Sequence, residues 1–298
     1  MVHLGPYVAR AMGFFDDVGL DVDILSFDGG IGALRASKFA VDVVGTSGDP
    51  LFQTIQNGQQ FRAIGAYAAR LSVVMMSGRD VKSTDQLKGR KIGISEVGGF
   101  NQVMAQLVLE RAGISPDDVQ WVNIAAADRL PAIVDGRIDG SVLHIEQYYA
   151  AANAAPELNV LARLWEVAPE WWYSAFVAPQ EVVDTKREAL IRFMTAVIRA
   201  QRFMYTNPVE TKRIAVEVTR RQPQDVDQAY DDLARGRVWS VNDGMPRGPI
   251  EYTIRRDSEL GVIRKDDLPT YDQIVEQSIV EEAISRNGGR WSGDARWQ

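Results

Sequence analysis

The stretch from Lys91 to His144 constrains the fold of this chain more than any other part of the sequence. It reads as a strand, KIGIS, a glycine-rich loop, SEVGGFN, and an amphipathic helix that Gly113 ends, followed by two further strands, VQWVNI and GSVLH, with a second helix between them. Strands that alternate with helices of this length are typical of parallel βαβ units. Because ligands of such sheets bind at the carboxyl ends of the strands, the residues just after Ser95 and Leu143 are the first candidates for a site.

The same pattern occurs about 95 residues earlier in the chain, which indicates an internal repeat of domain size. Residues 14–25 resemble the end of the first helix and the strand after it, with Gly19 in the place of Gly113. Residues 32–49 resemble the second helix and its strand, with Asp42 in the place of Asp139. The sequence therefore predicts two similar α/β lobes with equivalent loops on one cleft. The alternative is that all α/β units look alike at this level.

The repeat also predicts the position of a strand ahead of the first helix. Counting back from Gly19 as from Gly113 places Met1 near the position of Ser95, so the strand that matches KIGIS would precede Met1. Lobe one is therefore expected to lack its first strand, and its neighbouring strands would then expose unpaired backbone groups. A start site placed too late, or a trimmed chain, would explain this, and another segment that covers the gap is the alternative.

Composition narrows the classes of function. The 298 residues, 46% hydrophobic and 24% charged, are enough for two lobes with cores of their own. A net charge of −7 disfavours nucleic acid or an anionic membrane as a partner. The absence of cysteine excludes disulfides, thiolate metal sites and cysteine nucleophiles, and His3 and His144 have no metal-ligand spacing. We predict no metal site and no cofactor.

The segments between and after the repeats suggest how the lobes are joined. No apolar run of about 18 residues predicts a membrane span, and no signal peptide is present. The charged connection RDVKSTDQLKGR is interpreted as the first crossing between lobes, and the strand YSAFVA as the return crossing. The expected lobe one is 1–88 and 178–298, including the strands VDILSF and LSVVMMS, and lobe two is 89–177. An amphipathic helix at 185–205 and the helices after it are expected to pack on lobe one.

The ordered set of segments resembles a type-II periplasmic substrate-binding protein of an ABC importer, in the branch that binds nitrate, alkanesulfonates, taurine and thiamine-pyrimidine precursors. The matching pieces are PYVARAMGFFDDVGLDVDIL, ALRASKFAVDVVG, STDQLKGRKIGIS, LPAIVDGRIDGSV and NDGMPRGPIEYTIRRDSELGVI. The resemblance implies two α/β lobes with mixed, mainly parallel sheets, joined by two crossings around a ligand cleft. It also implies a monomer that delivers a small-molecule ligand to a membrane permease on the periplasmic or extracellular side, without catalysis.

The glycine-rich loop is the first candidate binding element. A helix N-terminus carries unpaired N–H donors and a partial positive charge, and two glycines let a ligand approach the backbone closely. The alternative is a plain capped turn. The candidate ligand-binding residues here are Ser95, Gly98, Gly99, Phe100 and Asn101.

The loop TSGDP is the predicted partner loop in lobe one. Thr46 and Ser47 can donate or accept hydrogen bonds, and Asp49 could receive an amine or hydroxyl or could simply cap the next helix. In lobe two, His144 could bond a carboxylate or sulfonate, and Glu146 a cationic or hydroxylated ligand. A structural histidine and an ordinary salt bridge are the respective alternatives.

Aromatic side chains supply the remaining candidates. Trp171, Trp172 and Tyr173 stand beside the return crossing, where they could form an apolar wall, although at least one must face the core because a strand alternates. Trp172 is the predicted ligand-facing member. His3 and Tyr7 occupy the repeat equivalent of the glycine-rich loop and are predicted to line the cleft from lobe one.

Three functions remain to be separated. The leading prediction is capture of a small organic anion, a sulfonate, carboxylate or aromatic acid, with a thiamine-pyrimidine precursor or related heterocycle as the alternative ligand. An enzyme on the same fold would need a base such as Glu146 or His144, and the desulfinase and pyrimidine synthase of this branch rely on cysteines that this chain lacks. A regulator would need a helix-turn-helix, and none is visible.

Overall fold

Two sheets form the framework of the protein. The structure, a computed structural model, describes residues 1–36 and 41–292. The strands are β1 (Val44–Ser47), β2 (Phe61–Ala68), β3 (Val73–Ser77), β4 (Lys91–Ile94), β5 (Gln120–Asn123), β6 (Gly140–His144), β7 (Asn159–Arg163) and β8 (Ser174–Pro179). The smaller sheet has the order β1-β8-β2 and belongs to lobe one, and the larger sheet has the order β5-β4-β6-β3-β7 and belongs to lobe two.

The βαβ units predicted from the stretch Lys91 to His144 are confirmed. Strand β4 pairs in parallel with β5 and with β6, and helices lie between these strands in the chain. The pairings of β3 and β8 are antiparallel, so both sheets that contain these strands depart from an all-parallel arrangement. The fold is mixed α/β, and among the named strands parallel pairing occurs in β5-β4-β6, so the sheets have fewer parallel pairings than the resemblance implies.

Two strand predictions need correction. The strand in LSVVMMS was assigned to lobe one, but β3 pairs with β6 and β7 in the larger sheet, so the chain already crosses between the lobes at residues 69–72. An apolar run shows that a strand is buried but not which sheet buries it. The segment VDILSF, predicted as a strand, forms no strand pairing within the described residues.

The helices cover the sheets on both sides. They are α1 (Leu4–Ala11), α2 (Phe14–Asp17), α3 (Gly30–Ala36), α4 (Gly48–Gln56), α5 (Phe100–Arg111), α6 (Arg129–Val134), α7 (Ile145–Ala154), α8 (Leu164–Val167), α9 (Gln180–Thr185), α10 (Arg187–Thr206), α11 (Pro208–Thr219), α12 (Pro223–Arg235), α13 (Arg247–Glu259), α14 (Tyr271–Ile274) and α15 (Gln277–Arg286). No helix in the described ranges is both long and apolar enough to cross a bilayer.

The long helix α10 anchors the C-terminal part of the chain to lobe one, as its amphipathic pattern predicts. Its buried face, which includes Leu190, Met194 and Val197, packs against α1, α15 and the smaller sheet. Helix α15 in turn packs on β2. The helices after residue 185 therefore complete the core of lobe one.

Besides the crossings, several contacts between described residues join the lobes. On one side, the side-chain amide of Gln53 in α4 donates to the carbonyl of Gly98 at 2.6 Å, and Arg256 of α13 pairs with Glu110 of α5. On the other side, α7 packs against α12, where the amide of Asn153 donates to Asp225 at 2.6 Å. These contacts hold the lobes together around the space between the sheets.

Candidate functional site

A cavity of about 800 Å³ opens between the lobes at the carboxyl ends of β1, β4 and β6. Its size suits a small organic molecule. Of the predicted binding residues, those that line it are His3, Tyr7, Thr46, Ser47, Ser95, Gly99, Phe100, Asn101 and His144. Asp49, Gly98, Glu146 and Trp172 lie outside the lining. The two loops that the repeat predicted to face each other, after β1 and after β4, therefore share one cavity.

The glycine-rich loop delivers the N-terminus of α5 to this cavity. Gly99 takes an extended conformation at the N-cap position, and its carbonyl accepts hydrogen bonds from the backbone N–H groups of Gln102 and Val103. Within the described residues, no backbone acceptor takes the N–H groups of Phe100 and Asn101, and both residues line the cavity. The helix therefore directs free donors and the positive end of its dipole toward a ligand.

Gly98 lies outside the cavity lining and shapes the turn of the glycine-rich loop. Its φ of 75° is left-handed, a conformation that favours glycine. Its N–H donates to the side chain of Gln102 at 2.7 Å, and its carbonyl accepts from Gln53 of lobe one. Gly98 therefore shapes the turn and joins the lobes, while Gly99 meets the cavity.

Arg129, at the start of α6, brings a buried positive charge to the cavity. The residue is 1% exposed and lines the cavity floor. Its guanidinium donates to the hydroxyl of Ser95 and to the carbonyl of Val142 at 3.4 Å, and both acceptors are uncharged. Burial lowers the pKa of Arg129 to about 10, so the group remains a cation at neutral pH. Within residues 1–36 and 41–292 it forms no ion pair.

Asn101 and Ser95 hold this arginine in place. The amide of Asn101 donates to the same Val142 carbonyl at 3.1 Å, and the hydroxyl of Ser95 donates to the side-chain oxygen of Asn101 at 3.5 Å. The network ties the end of β4, the first turn of α5 and β6 to one another. Such shared partners fix the orientation of a charged side chain before a ligand arrives.

Aromatic rings form another part of the cavity wall. The ring of Phe100 lies 4.7 Å from that of Tyr173, Tyr173 lies 6.3 Å from Tyr67, and Tyr67 lies 4.5 Å from His3. Phe176 contacts Tyr67 at 5.3 Å. Burial raises the pKa of Tyr67 and of Tyr173, so both hydroxyls stay protonated. The wall offers flat apolar surface with occasional hydrogen-bond donors.

Both histidines of the chain face the cavity in the neutral form. Burial lowers the pKa of His144 to about 4, and the enclosed position of His3, whose surface opens into the cavity, lowers its pKa as well. The ring nitrogen Nδ1 of His144 is buried without a hydrogen-bond partner among the described residues. A neutral imidazole can donate or accept one hydrogen bond at each nitrogen, but it adds no charge to the site.

Three other predicted residues are placed elsewhere. Asp49 is fully buried in α4 against Asp257 of α13. Trp172 is fully buried as well, where its indole donates to the carbonyl of Gly244 at 2.9 Å and stacks on Phe52. The carboxylate of Glu146 lies 3.1 Å from the backbone nitrogen of Met1.

Sequence reasoning missed Arg129 and Tyr67, and in the aromatic run it favoured Trp172 over Tyr173. The alternation rule already required that neighbours in the Trp171–Tyr173 run face different ways, and the cavity receives Tyr173 rather than Trp172. No local signal marked Arg129, because a buried arginine at a helix start looks like any surface arginine in the sequence. Within the described residues, no group of three or more His, Asp or Glu side chains has an arrangement that could hold a metal ion.

The family model described as "NMT1/THI5 like" matches residues 1–211, which is more than half of the chain. The chain belongs to the NMT1/THI5-like family. This NMT1/THI5-like protein is 26% identical over 214 residues to a protein of Brucella abortus that is named as a candidate binding protein. That match covers 70% of this chain and 66% of the Brucella protein, just under two thirds of its length.

A second relative carries a different name. A candidate thiamine biosynthesis protein of Haemophilus influenzae is 25% identical over 238 residues, covering 78% of this chain and 73% of the relative. The names of these two relatives together cover binding and thiamine biosynthesis. They do not agree on a ligand.

Solved structures share the fold of this NMT1/THI5-like protein. The ligand-binding component of an ABC-type import system from Staphylococcus aureus, with zinc bound, superposes with a TM-score of 0.78 at 13% identity, covering 95% of both chains. The periplasmic nitrate-binding protein NrtA from Synechocystis gives a TM-score of 0.78 at 14% identity, covering 96% of this chain and 86% of its own. The desulfurization enzyme DSZB, in a complex with biphenyl-2-sulfinic acid, gives 0.67 at 14% identity, covering 95% and 96%. The protein therefore has the solute-binding protein fold of ABC import systems, a fold that one enzyme also uses.

Proposed function

We propose that this protein is the solute-binding component of an ABC importer and captures a small organic anion between its lobes without transforming it. The observation that carries the proposal is the buried cation of Arg129, which lines the cavity and donates only to uncharged acceptors. Leaving a buried charge without a counter-ion is costly, so an anionic ligand that reaches it gains a charge-assisted hydrogen bond in a desolvated site. The free N–H groups at the start of α5 also favour a negatively charged ligand.

The acidic side chains around the cavity do not cancel this preference. Asp21, Asp23, Asp28 and Asp42 line the cavity and are exposed to solvent, and the half-buried Glu96, which also lines it, accepts the backbone N–H of Ile31. Exposed charges are screened by water and salt, whereas Arg129 acts in a buried environment. Asp28 acts on Arg129 from an exposed position, so we expect Arg129 to remain the main charge that a ligand meets where the cavity is buried.

The aromatic wall indicates which kind of group is attached to the anionic group of the ligand. Rings of Tyr67, Phe100 and Tyr173 line the same cavity as Arg129 and offer it flat surface. A sulfonate or carboxylate attached to a ring or an alkyl chain matches both walls. Simple inorganic anions would use the floor alone and leave the aromatic wall in contact with water.

The fold supports the proposed transport role. Two lobes around one cavity close on a ligand by a hinge motion, and the closed form is what a membrane permease would receive. We accordingly place the protein on the periplasmic or extracellular side of a bacterial membrane, as a monomer. The structures of related fold and the binding-protein name of the Brucella relative support this role.

The test is a ligand screen with matched arginine variants. Aryl and alkyl sulfonates and carboxylates are first screened by thermal shift, because a ligand that binds only the folded state raises the melting temperature. Affinity of the best ligand is then measured by calorimetry for the wild type, Arg129→Gln and Arg137→Gln, the last being an exposed arginine next to the same helix. Arg129→Gln is expected to weaken binding about tenfold to a hundredfold, since a hydrogen bond to a charged group contributes about 1.5–3 kcal/mol.

Arg137→Gln is expected to bind like the wild type. Arg129→Lys keeps the positive charge and should recover part of the affinity. This result would show that Arg129→Gln weakens binding through the loss of charge and not through misfolding. Binding that is insensitive to all changes at Arg129 would refute the anion site. Mass spectrometry of the recovered ligand checks the absence of catalysis, because a changed mass would make the protein an enzyme.

A heterocycle is the second candidate ligand. The same aromatic wall would stack a pyrimidine ring, and the Haemophilus relative is named for thiamine biosynthesis. A neutral pyrimidine would gain little from Arg129, so its affinity should change about twofold or less in Arg129→Gln. The two ligand classes are therefore separated by the same pair of variants.

A further inference from the structure

Tyr173 stands where the two lobes and the cavity meet. Its backbone N–H donates to the carbonyl of Ala69, in the first crossing between the lobes, at 3.3 Å, and its carbonyl accepts the N–H of Gly48, at the start of α4, at 3.0 Å. Its ring lies 4.7 Å from that of Phe100, at the start of α5 in lobe two. Backbone bonds on two sides and a packed ring fix the orientation of this side chain before a ligand arrives.

The hydroxyl of Tyr173 has no partner in the part of the protein that the structure describes. The residue is 2% exposed and lines the cavity. Within residues 1–36 and 41–292, no backbone or side-chain group forms a hydrogen bond with this hydroxyl. A phenol can donate one hydrogen bond and accept others, and a buried polar group that makes none is costly. The hydroxyl is therefore available to a ligand in the cavity.

Tyr173 and Arg129 act on each other across the cavity. Burial raises the pKa of Tyr173 well above its usual value, and the charge of Arg129 acts in the opposite direction. Burial lowers the pKa of Arg129, and Asp28 and Tyr173 oppose that change. No hydrogen bond joins the two side chains in the described part of the chain. A ligand whose anionic group meets Arg129 therefore has its body within reach of the Tyr173 hydroxyl.

The charges of the lining restrict what the second polar group of a ligand can be. Arg129 is a buried cation, whereas Lys186, which also lines the cavity, has a side chain that is 53% exposed. His3 and His144 are neutral. A second anionic group would be buried without a counter-charge, and a cationic group would be repelled by Arg129. The group that meets Tyr173 is therefore uncharged.

We propose that the ligand is an aromatic acid that carries an uncharged hydroxyl group in addition to its anionic group, and that Tyr173 selects for this hydroxyl. The inference rests on the proposed function, because it names the class of ligand for the same site. The tyrosine hydroxyl exchanges a hydrogen bond with that of the ligand, while the aromatic wall contacts the ring. An acid without the hydroxyl leaves Tyr173 unpaired, and sites built to bond a hydroxyl reject analogues that lack it.

The probes are benzoate and its ortho, meta and para hydroxy derivatives, with benzenesulfonate and its para hydroxy derivative as a second pair. Calorimetry measures their affinities for the wild type, Tyr173→Phe and the control Tyr148→Phe. Tyr148, in α7, is half-buried and lies outside the cavity lining, so the control removes the same group from another place. We expect one hydroxylated probe to bind the wild type about tenfold or more tightly than its parent acid.

Tyr173→Phe should lose this preference. The variant keeps the ring but offers no hydrogen bond, so the favoured probe and its parent acid should bind within about twofold of each other. The parent acid should bind the variant at least as tightly as the wild type, because no buried hydroxyl is left unpaired. Retained binding of the parent acid also shows that the variant is folded. Tyr148→Phe should keep the preference of the wild type.

Arg129→Gln separates this inference from the proposed function. It should weaken the parent acid and its hydroxylated derivative by the same factor, because Arg129 contacts the anionic group and the two effects are then additive. If the parent acids bind and depend on Arg129, but no hydroxylated probe is preferred or the preference persists in Tyr173→Phe, this inference is wrong and the anion site stands. If none of the probes binds the wild type at millimolar concentration, both are wrong.

Discussion

At the scale of single residues, the most unusual feature is a pair of buried carboxyl groups. Asp49 of α4 and Asp257 of α13 are both fully buried, and they lie against each other in lobe one. Burial raises the pKa of Asp49 to about 6, and burial together with the charge of Asp49 raises that of Asp257 well above its usual value. One of the two therefore keeps a proton at neutral pH, because two adjacent carboxylates cannot both ionise in a buried place.

This pair predicts how stability depends on pH. Both pKa values are raised on folding, so the folded protein holds more protons than the unfolded chain, and the free energy of unfolding should fall as pH rises from about 4 to 6 and beyond. Asp257→Asn removes one titrating group and offers Asp49 an amide donor. We expect it to raise the free energy of unfolding at pH 7 by on the order of 1–3 kcal/mol.

Denaturant unfolding at pH 4, 5.5 and 7 measures this effect. The control is Asp266→Asn, which changes an exposed aspartate. If Asp257→Asn and the control show the same dependence on pH, the pair does not titrate as described.

At the scale of elements, a short contact joins α3 to the loop after β4 across the mouth of the cavity. The carboxylate of Glu96 accepts the backbone N–H of Ile31 at 3.1 Å, close to the N-terminus of α3. A Cβ atom at Gly29 would lie 2.5 Å from the same carboxylate, so a larger residue there would push the Glu96 side chain aside. Glu96 therefore fastens a segment of lobe one to lobe two beside a bound ligand.

Glu96→Ala is expected to speed ligand release. Loss of a hydrogen bond to a charged acceptor should raise the dissociation rate about tenfold, while Glu96→Gln, which can still accept, should change it less. Stopped-flow displacement of the ligand identified in the screen measures the rate. Val97→Ala, an exposed neighbour in the same loop, should leave it unaltered. A dissociation rate that does not respond to Glu96→Ala would show that the contact does not hold the ligand.

At the scale of the whole molecule, closure of the lobes is the expected response to ligand. The contacts of Gln53 with Gly98 and of Arg256 with Glu110 bridge the lobes on the cavity side. We expect the ligand-free protein to sample a more open form and its radius of gyration to decrease on ligand addition. Small-angle X-ray scattering measures the change. A radius that stays constant at saturating ligand would contradict closure.

The same scale shows where prediction from sequence was incomplete. The two lobes, the shared cavity and nine of its predicted lining residues followed from local patterns and the resemblance. The sheet that received β3 did not, because β3 is antiparallel to partners about 70 and 85 residues away, and no spacing in the sequence reports that choice. The sequence did not predict Arg129 as a site residue for a similar reason. Its partners Ser95 and Val142 are distant in the chain and lie on separate strands or loops.

The sequence by itself determined the local units. Strand, glycine-rich loop, helix and left-handed turn at Gly113 or Gly19 depend on neighbours within a few residues, so their pattern is legible without a fold. Only the tertiary structure decided which side chains meet. It buried Trp172 and Asp49, turned Tyr173 toward the cavity and left Arg129 with a buried charge. These outcomes depend on contacts between distant parts of the chain. Only those contacts bury a polar or aromatic side chain, and burial decides whether the free energy of that side chain is favourable or costly.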